Sequence, residues 1–398
     1  MEGGTLGVGG RLGEGERGAA LGDVAGTCWK THDAALANDA VTLPAFDEVC
    51  ADRKKFAEAF AAYYAEQDAL RGKRLIQDQG AWRVVQNRPA RPLAQAEMDE
   101  VYALPYARAW HPDYDAKGGV PAFDEVRFSI VTHRGCFGEC GFCAIASHQG
   151  RIIQRRSDES ILREAELLTK EPGFKGYIND VGGPTANFTE PSCPDSVRRG
   201  SCKGKSCLYP EPCRKLRADH TGYIELLRKI RALPKIKKVF IRSGIRYDYI
   251  LADKSGEFLE ELCRWHVSGQ LKIAPEHISP NVLRYMRKPG RAATEEFMRR
   301  YAKVNEKLGL KQFLVPYFIS AHPGSTLKEA VELAEFIRDS GLRPEQVQDF
   351  TPTPGSLSTC IYYIGLDPFT PEEVYVPHGA EAPTLTRAPP PHSQPHHR

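Results

Sequence analysis

The sequence lacks any long run of hydrophobic residues. Its longest strongly apolar stretch, residues 313–319, is far shorter than the roughly 20 residues that a membrane-spanning helix needs. The first residues are rich in glycine and charge, and they contain no apolar segment of the kind that marks a secretory signal peptide. We therefore expect a cytoplasmic protein that has no membrane partner.

The sequence also lacks a large excess of charge of one sign, because it contains 54 Lys and Arg residues and 51 Asp and Glu residues. A balanced chain gives no electrostatic reason to expect nucleic acid as a partner, although a local basic patch stays open. Apolar residues make up 41% of the 398 residues, which is enough for a large core. A chain of this length could hold two or three average domains, or one barrel-sized domain with extensions.

Cysteine is plentiful, with eleven residues, seven of them between Cys136 and Cys213. Disulfide bonds are rare in the cytosol, where thiols are kept reduced. Crowded cysteines in a reducing compartment point to metal binding before any other role.

Short strands alternate with helices from residue 125 onward. Alternation of this kind predicts a parallel sheet with helices outside it, and hence the α/β class. We predict a partial (β/α)6 TIM-like barrel of six strands, at 126–132, 176–181, 237–242, 271–275, 312–320 and 346–350. The helices are predicted at 158–169, 221–232, 257–266, 294–308 and 326–339, the last opened by a capping box of Thr326 and Glu329.

The chain divides into four predicted parts. Residues 1–35 are rich in glycine and alanine and are expected to be flexible, and residues 36–121 form an extension packed on the core, with a helix at 56–70. The barrel occupies 122–375 and includes a cysteine-rich loop at 190–215. The Pro- and His-rich residues 376–398 are predicted to be a disordered tail.

Cys136, Cys140 and Cys143 follow the first predicted strand with the spacing C-x3-C-x2-C. Three thiolates on one glycine-containing loop can hold a [4Fe–4S] cluster, each bonding a different iron and leaving the fourth iron open. A zinc site is the alternative, and it needs a fourth ligand such as His133 or His148. The spacing and the position directly after a strand favour the cluster.

The same residues resemble the radical SAM superfamily, whose motif CxxxCxΦC has an aromatic residue where this chain has Phe142. The resemblance implies that the amino and carboxylate groups of S-adenosylmethionine (SAM) chelate the open iron. It also implies that one electron, from a donor such as flavodoxin or ferredoxin, cleaves SAM to a 5′-deoxyadenosyl radical. The protein's part is then to orient the cofactor and to exclude water.

Polar residues and glycines stand at the ends of the other predicted strands, where a barrel of parallel strands assembles its site. Gly182 and Gly183 occupy the place of a Gly-Gly-Glu strand end in the superfamily, with Pro184 in place of the acidic residue. Ser243 is placed to meet the ribose or the carboxylate of SAM. Charged side chains in the barrel mouth can instead form an interior ion pair. The predicted cofactor-binding residues are Phe142, Gly182, Gly183, Ser243, Lys272 and Glu276, and the catalytic residue stays unknown.

Longer sequence segments resemble those of the YgiQ family of radical SAM proteins, and the resemblance covers about residues 25–378. They are HRGCFGEC at 133–140, HQGRIIQ at 148–154, DVGGPTAN at 180–187, KIAPEH at 272–277 and QDFTPTPG at 348–355. Members of that family carry a further N-terminal region related to cobalamin-binding folds and a charged C-terminal helical segment. We expect both to be missing here. The resemblance indicates the cofactor chemistry and leaves the substrate open.

A second group, Cys193, Cys202, Cys207 and Cys213, lies in an irregular polar loop with the spacing C-x8-C-x4-C-x5-C. Four thiolates complete a tetrahedral zinc site or hold a second [4Fe–4S] cluster. Neighbouring basic residues would favour the thiolate form. Four ordinary thiols, or a disulfide pair, are the alternatives.

The leading functional hypothesis is a radical SAM enzyme with an unknown substrate. The first specific alternative is a tRNA- or RNA-modifying enzyme of the methylthiolating branch. Another is a non-catalytic, metal-stabilised binding protein that contacts nucleic acid through the basic loop 198–205, and a third is a truncated, inactive paralogue. Phe142 and the polar strand ends favour the enzyme, because a scaffold has no need of charges in a barrel mouth.

Overall fold

A computed structural model of the chain describes residues 22, 24–33, 39–370 and 372–377. Most of the predicted flexible start (1–35) and nearly all of the predicted disordered tail (376–398) lie outside the described residues. Across the described ranges no helix is both long enough and apolar enough to cross a membrane.

Strands and helices alternate through the described chain. The strands are β1 (Cys28–Thr31), β2 (Ala40–Thr42), β3 (Arg74–Gln79), β4 (Trp82–Gln86), β5 (Ser129–Val131), β6 (His133–Arg134), β7 (Gln154–Arg155), β8 (Tyr177–Ile178), β9 (Asp180–Gly182), β10 (Lys238–Val239), β11 (Gln270–Glu276), β12 (Phe313–Ser320) and β13 (Gln346–Asp349). The helices are α1 (Phe46–Ala51), α2 (Arg53–Ala65), α3 (Gln95–Tyr102), α4 (Pro121–Val126), α5 (Ile145–Gln149), α6 (Asp158–Leu168), α7 (Pro194–Arg199), α8 (Thr221–Arg231), α9 (Tyr247–Ala252), α10 (Glu257–Glu261), α11 (Pro280–Met286), α12 (Arg291–Leu308), α13 (Leu327–Ser340) and α14 (Leu357–Ile364).

From β5 onward the strands pair in parallel, apart from the short antiparallel pair of β6 and β7. β5 pairs with β9, β8 with β10, β11 with β12, and β12 with β13. A parallel bridge from Ile245 to Ile273 joins the β10 side to β11. Each predicted strand has a counterpart in this series, so the α/β class is confirmed, and the order fits the predicted partial barrel.

Several predicted boundaries need correction. The helix expected at 56–70 spans Arg53–Ala65 and ends five residues early. Residue 126 was expected to be the first residue of the first strand, but it is the last residue of α4, and β5 begins at Ser129. The first residue of α4 is Pro121. Proline suits the first turn of a helix because the amide hydrogen that it lacks would have no partner there. The helix predicted at 257–266 is α10 followed by a turn of π-helix, Leu262–His266.

The extension has a sheet of its own, with the strand order β1-β4-β3-β2. It meets the α/β part of the chain through α2, whose Phe60 is buried in a cluster with Tyr285 and Ile361. A cap also matches expectation, because the Thr326 backbone N–H donates to Glu329 Oε2 at 2.9 Å at the start of α13. The main core lies between the parallel strands and helices such as α6 and α8.

Candidate functional site

The cysteine loop begins directly after β6 and has a tightly constrained backbone. Gly135 has φ +90°, and a Cβ there would lie 2.4 Å from the Ile152 carbonyl oxygen. Glu139 also has a positive φ, +48°, and its buried carboxylate forms an ion pair with Arg151 at 2.5 Å. A left-handed conformation is costly for a residue other than glycine, and it persists only where the surroundings hold it in place.

The far side of the loop is held between two helices at Gly141. Its N–H donates to the Met286 carbonyl at 2.7 Å, and its carbonyl accepts from the Ser358 N–H at 2.8 Å. A Cβ at position 141 would lie 2.3 Å from the Tyr285 carbonyl oxygen. Only glycine therefore lets the loop approach α11 and α14 so closely.

Two aromatic side chains anchor the loop. Phe137 is fully buried and stacks on Phe188 with ring centroids 3.8 Å apart. Phe142 packs on the cluster that contains Met286 and lies edge-on to His322 at 6.4 Å. The contacts of Phe142 are therefore with the core beneath the loop, and its role toward the cofactor stays a prediction.

Backbone N–H groups of the loop donate to two of the cysteine sulfurs. The Gly138 N–H lies 3.4 Å from Cys136 Sγ, and the Ile145 N–H lies 3.4 Å from Cys143 Sγ. Thr185 Oγ1 is 3.5 Å from Cys136 Sγ. Hydrogen bonds of this kind stabilise thiolates and help to set the properties of iron–sulfur clusters.

The surroundings of two of the three thiols disfavour a free thiolate. Burial raises the pKa of Cys136, and burial together with the nearby Cys140 raises the pKa of Cys143 to about 12. Protons or metal must therefore neutralise these sulfurs. The guanidinium Nη1 of Arg246 lies 3.5 Å from Cys140 Sγ and offsets part of a thiolate charge. The donor set fits an iron–sulfur cluster.

In the part of the chain that the structure describes, no three His, Cys, Asp or Glu side chains form a group that could hold a metal ion. Cluster cysteines bond different irons, so they need not converge on one point. Of the fourth ligands considered for zinc, His133 is buried with its ring nitrogens on Thr132 Oγ1 (2.8 Å) and the Thr185 carbonyl (3.1 Å). His148 is exposed.

Gly182 and Gly183 lie at the end of β9 in close contact with the strand beside it. The Gly182 carbonyl accepts from the Thr132 N–H at 2.7 Å. A Cβ on Gly183 would lie 2.6 Å from the His133 ring. Both glycines therefore allow a close backbone approach at the strand end, while their predicted contact with the cofactor stays a prediction.

Ser243 lies just beyond β10, and its hydroxyl donates to Asp180 Oδ2. Asp180 Oδ1 also accepts the backbone N–H groups of Arg242 (2.8 Å) and Ser243 (3.0 Å). The carboxylate of Asp180 therefore lies close to this strand end. The sequence predicted no acidic side chain there, because Pro184 replaces the acidic residue of the superfamily. The sequence did not predict this contact of Asp180 with Ser243, although Asp180 is the first residue of the segment DVGGPTAN.

Lys272 lies in β11, and its predicted contact with the cofactor stays a prediction. Lys272 is exposed, while Leu271 and Ile273 on either side are buried. Side chains alternate between the faces of a strand, so Lys272 points to the opposite face from these two. The buried lysine close to Glu276 is Lys288, which sequence reasoning missed.

Glu276 ends β11 as a buried carboxyl group in a strained conformation. Its φ is +69°, and its Oε2 has no hydrogen-bond partner among the described residues. Burial raises the pKa of Glu276 to about 7, although the charges of Lys288 and Arg246 act in the opposite direction. A buried, unpaired oxygen at a strand end is suited to accept a hydrogen bond from a ligand.

Replacing Glu276 by glutamine should flatten the pH dependence of stability in the cluster-free protein. A carboxyl whose pKa is raised on folding stabilises the fold fully below its unfolded pKa, near 4.5, and loses that contribution as the pH rises through about 7. The pKa difference between the folded and unfolded states corresponds to at most about 3 kcal/mol in the free energy of unfolding. Urea unfolding at pH 5 to 8 measures it; parallel pH curves for the two proteins would contradict the assignment.

The second cysteine group is spread over the loop that contains α7. Cys193 precedes that helix, Cys202 is exposed, and the Cys213 N–H donates to the Cys207 carbonyl at 2.9 Å. The loop contacts the extension, where the Ser201 N–H donates to Asp68 Oδ2 at 2.6 Å. Zinc or a second cluster at this group stays a prediction.

Comparison with known proteins places these features in a family. The profile described as Radical SAM superfamily matches residues 130–337, and the profile described as Radical SAM N-terminal matches residues 2–129. The second match covers the range for which the sequence predicted a flexible start and an extension.

Curated relatives give the same result at higher identity. A UPF0313 protein of Clostridium botulinum (strain Loch Maree / Type A3) is 54% identical over 366 residues, which is 92% of this chain and 57% of that protein. A UPF0313 protein of Clostridium perfringens is 51% identical over 378 residues, 95% of this chain and 57% of that protein. The chain thus spans little more than half the length of these relatives. It belongs to the radical SAM superfamily, and the predicted resemblance to the YgiQ family, that of the UPF0313 proteins, is confirmed.

Among solved structures, the chain is similar to the radical SAM methyltransferase TsrM of Kitasatospora setae, solved with cobalamin and a [4Fe–4S] cluster. The sequence identity is 16% and the TM-score is 0.39, over 58% of this chain and 38% of that chain. A second TsrM structure, with tryptophan and a SAM analogue, gives 17% identity and a TM-score of 0.35, over 56% of this chain and 35% of that chain.

Proposed function

We propose that this chain forms the cluster- and SAM-binding part of a radical SAM enzyme, with Cys136, Cys140 and Cys143 as the ligands of a [4Fe–4S] cluster. The observation that carries the proposal is the constrained loop after the first parallel strands, with N–H donors directed at its sulfurs. Membership of the superfamily supports it. The substrate of the full-length protein stays open.

A bound [4Fe–4S] cluster with an open iron supplies one-electron cleavage of SAM to a 5′-deoxyadenosyl radical. The chain's part is to hold the cofactors and to order polar groups around them. Glu276 would accept a hydrogen bond from the ammonium group of SAM or from the substrate, because its Oε2 is buried without a partner. Ser243, oriented by Asp180, would meet the ribose or the carboxylate of SAM. Gly182 and Gly183 would let the cofactor approach the backbone.

The electron would come from a small redox protein such as flavodoxin or ferredoxin. The experiment that tests the proposal is anaerobic reconstitution with iron and sulfide, reduction with dithionite and addition of SAM. We expect release of 5′-deoxyadenosine, measured by liquid chromatography. A reconstituted protein that holds the cluster and releases none would overturn the enzymatic role and leave a metal-stabilised binding protein.

We further propose that Cys193, Cys202, Cys207 and Cys213 bind either zinc or a second [4Fe–4S] cluster. The density of four thiols in one loop and the lowered pKa of Cys213, caused chiefly by a backbone hydrogen bond from Lys215, support thiolate ligation. Metal analysis of a variant with alanine at all three positions of the triad distinguishes the two metals. Remaining iron with sulfide indicates a cluster, stoichiometric zinc indicates a zinc site, and neither metal contradicts the proposal.

A further inference from the structure

Arg246 is a buried cation directly beside the cysteine loop. Its Nη1 lies 3.5 Å from Cys140 Sγ, and its side chain is almost inaccessible to solvent. A Cβ at position 138 would lie 2.5 Å from the same Nη1, so the glycine of the loop leaves the space that the guanidinium occupies. A charge-assisted contact with a cysteine sulfur is therefore built into the loop.

Asp248 holds the other side of the guanidinium. Its two carboxylate oxygens accept from Arg246 Nε at 2.8 Å and from Nη2 at 2.6 Å, in a bidentate pair. Burial by itself would raise the pKa of Asp248, but the charge and hydrogen bonds of Arg246 bring that pKa below its usual value. The pair is therefore ionic, with its positive end toward the sulfur and its negative end behind it.

The backbone of Arg246 is fixed as well. The Arg246 N–H donates to Asn187 Oδ1 at 2.8 Å, and Asn187 Nδ2 donates to the Arg246 carbonyl at 3.2 Å. Asn187 contacts His220 Nε2 at 3.1 Å, and His220 Nδ1 contacts Asp253 Oδ2 at 2.6 Å. Because side chain and backbone are both clamped, the guanidinium cannot easily turn away from Cys140.

We propose that the positive charge of Arg246 raises the reduction potential of the cluster, and that the negative charge of Asp248 limits this increase. The inference rests on the proposed function, because it requires a cluster on Cys140. A reduced cluster carries one more negative charge than an oxidised one, so a nearby cation stabilises the reduced form and a nearby anion destabilises it. The two residues therefore act on the potential in opposite directions.

Redox titration of the reconstituted protein, followed by electron paramagnetic resonance, tests this. At a fixed potential we expect Arg246→Gln to lower the ratio of reduced to oxidised cluster about tenfold, a shift of about 59 mV for one electron. Asp248→Asn should raise that ratio by a factor of similar order. Arg228→Gln, which breaks an ion pair with Glu261 elsewhere in the fold, should leave it unchanged.

Damage to the fold alone would shift the potential of both variants in the same direction, and that result would overturn the inference, as would unchanged potentials. If Arg246→Gln fails to take up a cluster, the rise expected for Asp248→Asn decides: its presence supports the inference and its absence overturns it. Failure of the proposed function is distinct: an absent cluster site would leave the unmodified protein without a cluster signal, and an absent enzymatic role would leave a cluster that releases no 5′-deoxyadenosine.

Discussion

Replacing Cys140 by alanine should remove the iron and sulfide that the triad binds and reduce 5′-deoxyadenosine release to background. Cys140 lies between the other two cysteines and contacts Arg246. Its loss leaves two thiolates for a cluster that needs three protein ligands and an open iron. Iron and sulfide analysis, together with chromatographic measurement of 5′-deoxyadenosine, checks the prediction.

The matched control is Cys50→Ala, which removes an exposed thiol from α1. It should keep the iron content and activity of the unmodified protein. Full activity of Cys140→Ala would show that the loop is not the cluster site, whatever the reason for its cysteine spacing.

Replacing Gly141 by alanine should destabilise the cysteine loop. The added methyl group would lie 2.3 Å from the Tyr285 carbonyl oxygen, a backbone atom that cannot move aside alone. The hydrogen bond that Gly141 donates to Met286 and the one that it accepts from Ser358 would have to lengthen. We expect a loss of about 2–3 kcal/mol in the free energy of unfolding, with impaired cluster uptake. Urea unfolding and iron analysis measure the two effects.

Gly290→Ala is the control for this change, because a Cβ at position 290 meets no atom within 4 Å. Its free energy of unfolding should differ little from that of the unmodified protein. Equal stabilities and equal iron contents for the two variants would mean that the close approach at Gly141 does not hold the loop.

Much of the fold could be predicted from the sequence because the signals are local. The amphipathic pattern of α6 and the capping box of α13 depend on residues three or four positions apart, and both match the structure. The order of the parallel strands follows from alternation of strands and helices. The sheet of the extension was missed, because its strands β1 and β4 pair across more than 50 residues.

The candidate site was less predictable, because its contacts join residues far apart in the chain. The triad is evident from its spacing, whereas the contact of Arg246 with Cys140 spans 106 positions. Lys288 belongs to no strand-end motif, so only the fold brings it close to Glu276.

The most direct test of the central claim is electron–nuclear double resonance on the reduced, reconstituted protein with SAM labelled with 15N in its amino group and 17O in its carboxylate. If the triad leaves an iron open, both labels should couple to the cluster, and the 15N and 17O signals should be absent with unlabelled SAM. A cluster that shows no coupling to either label would contradict the account.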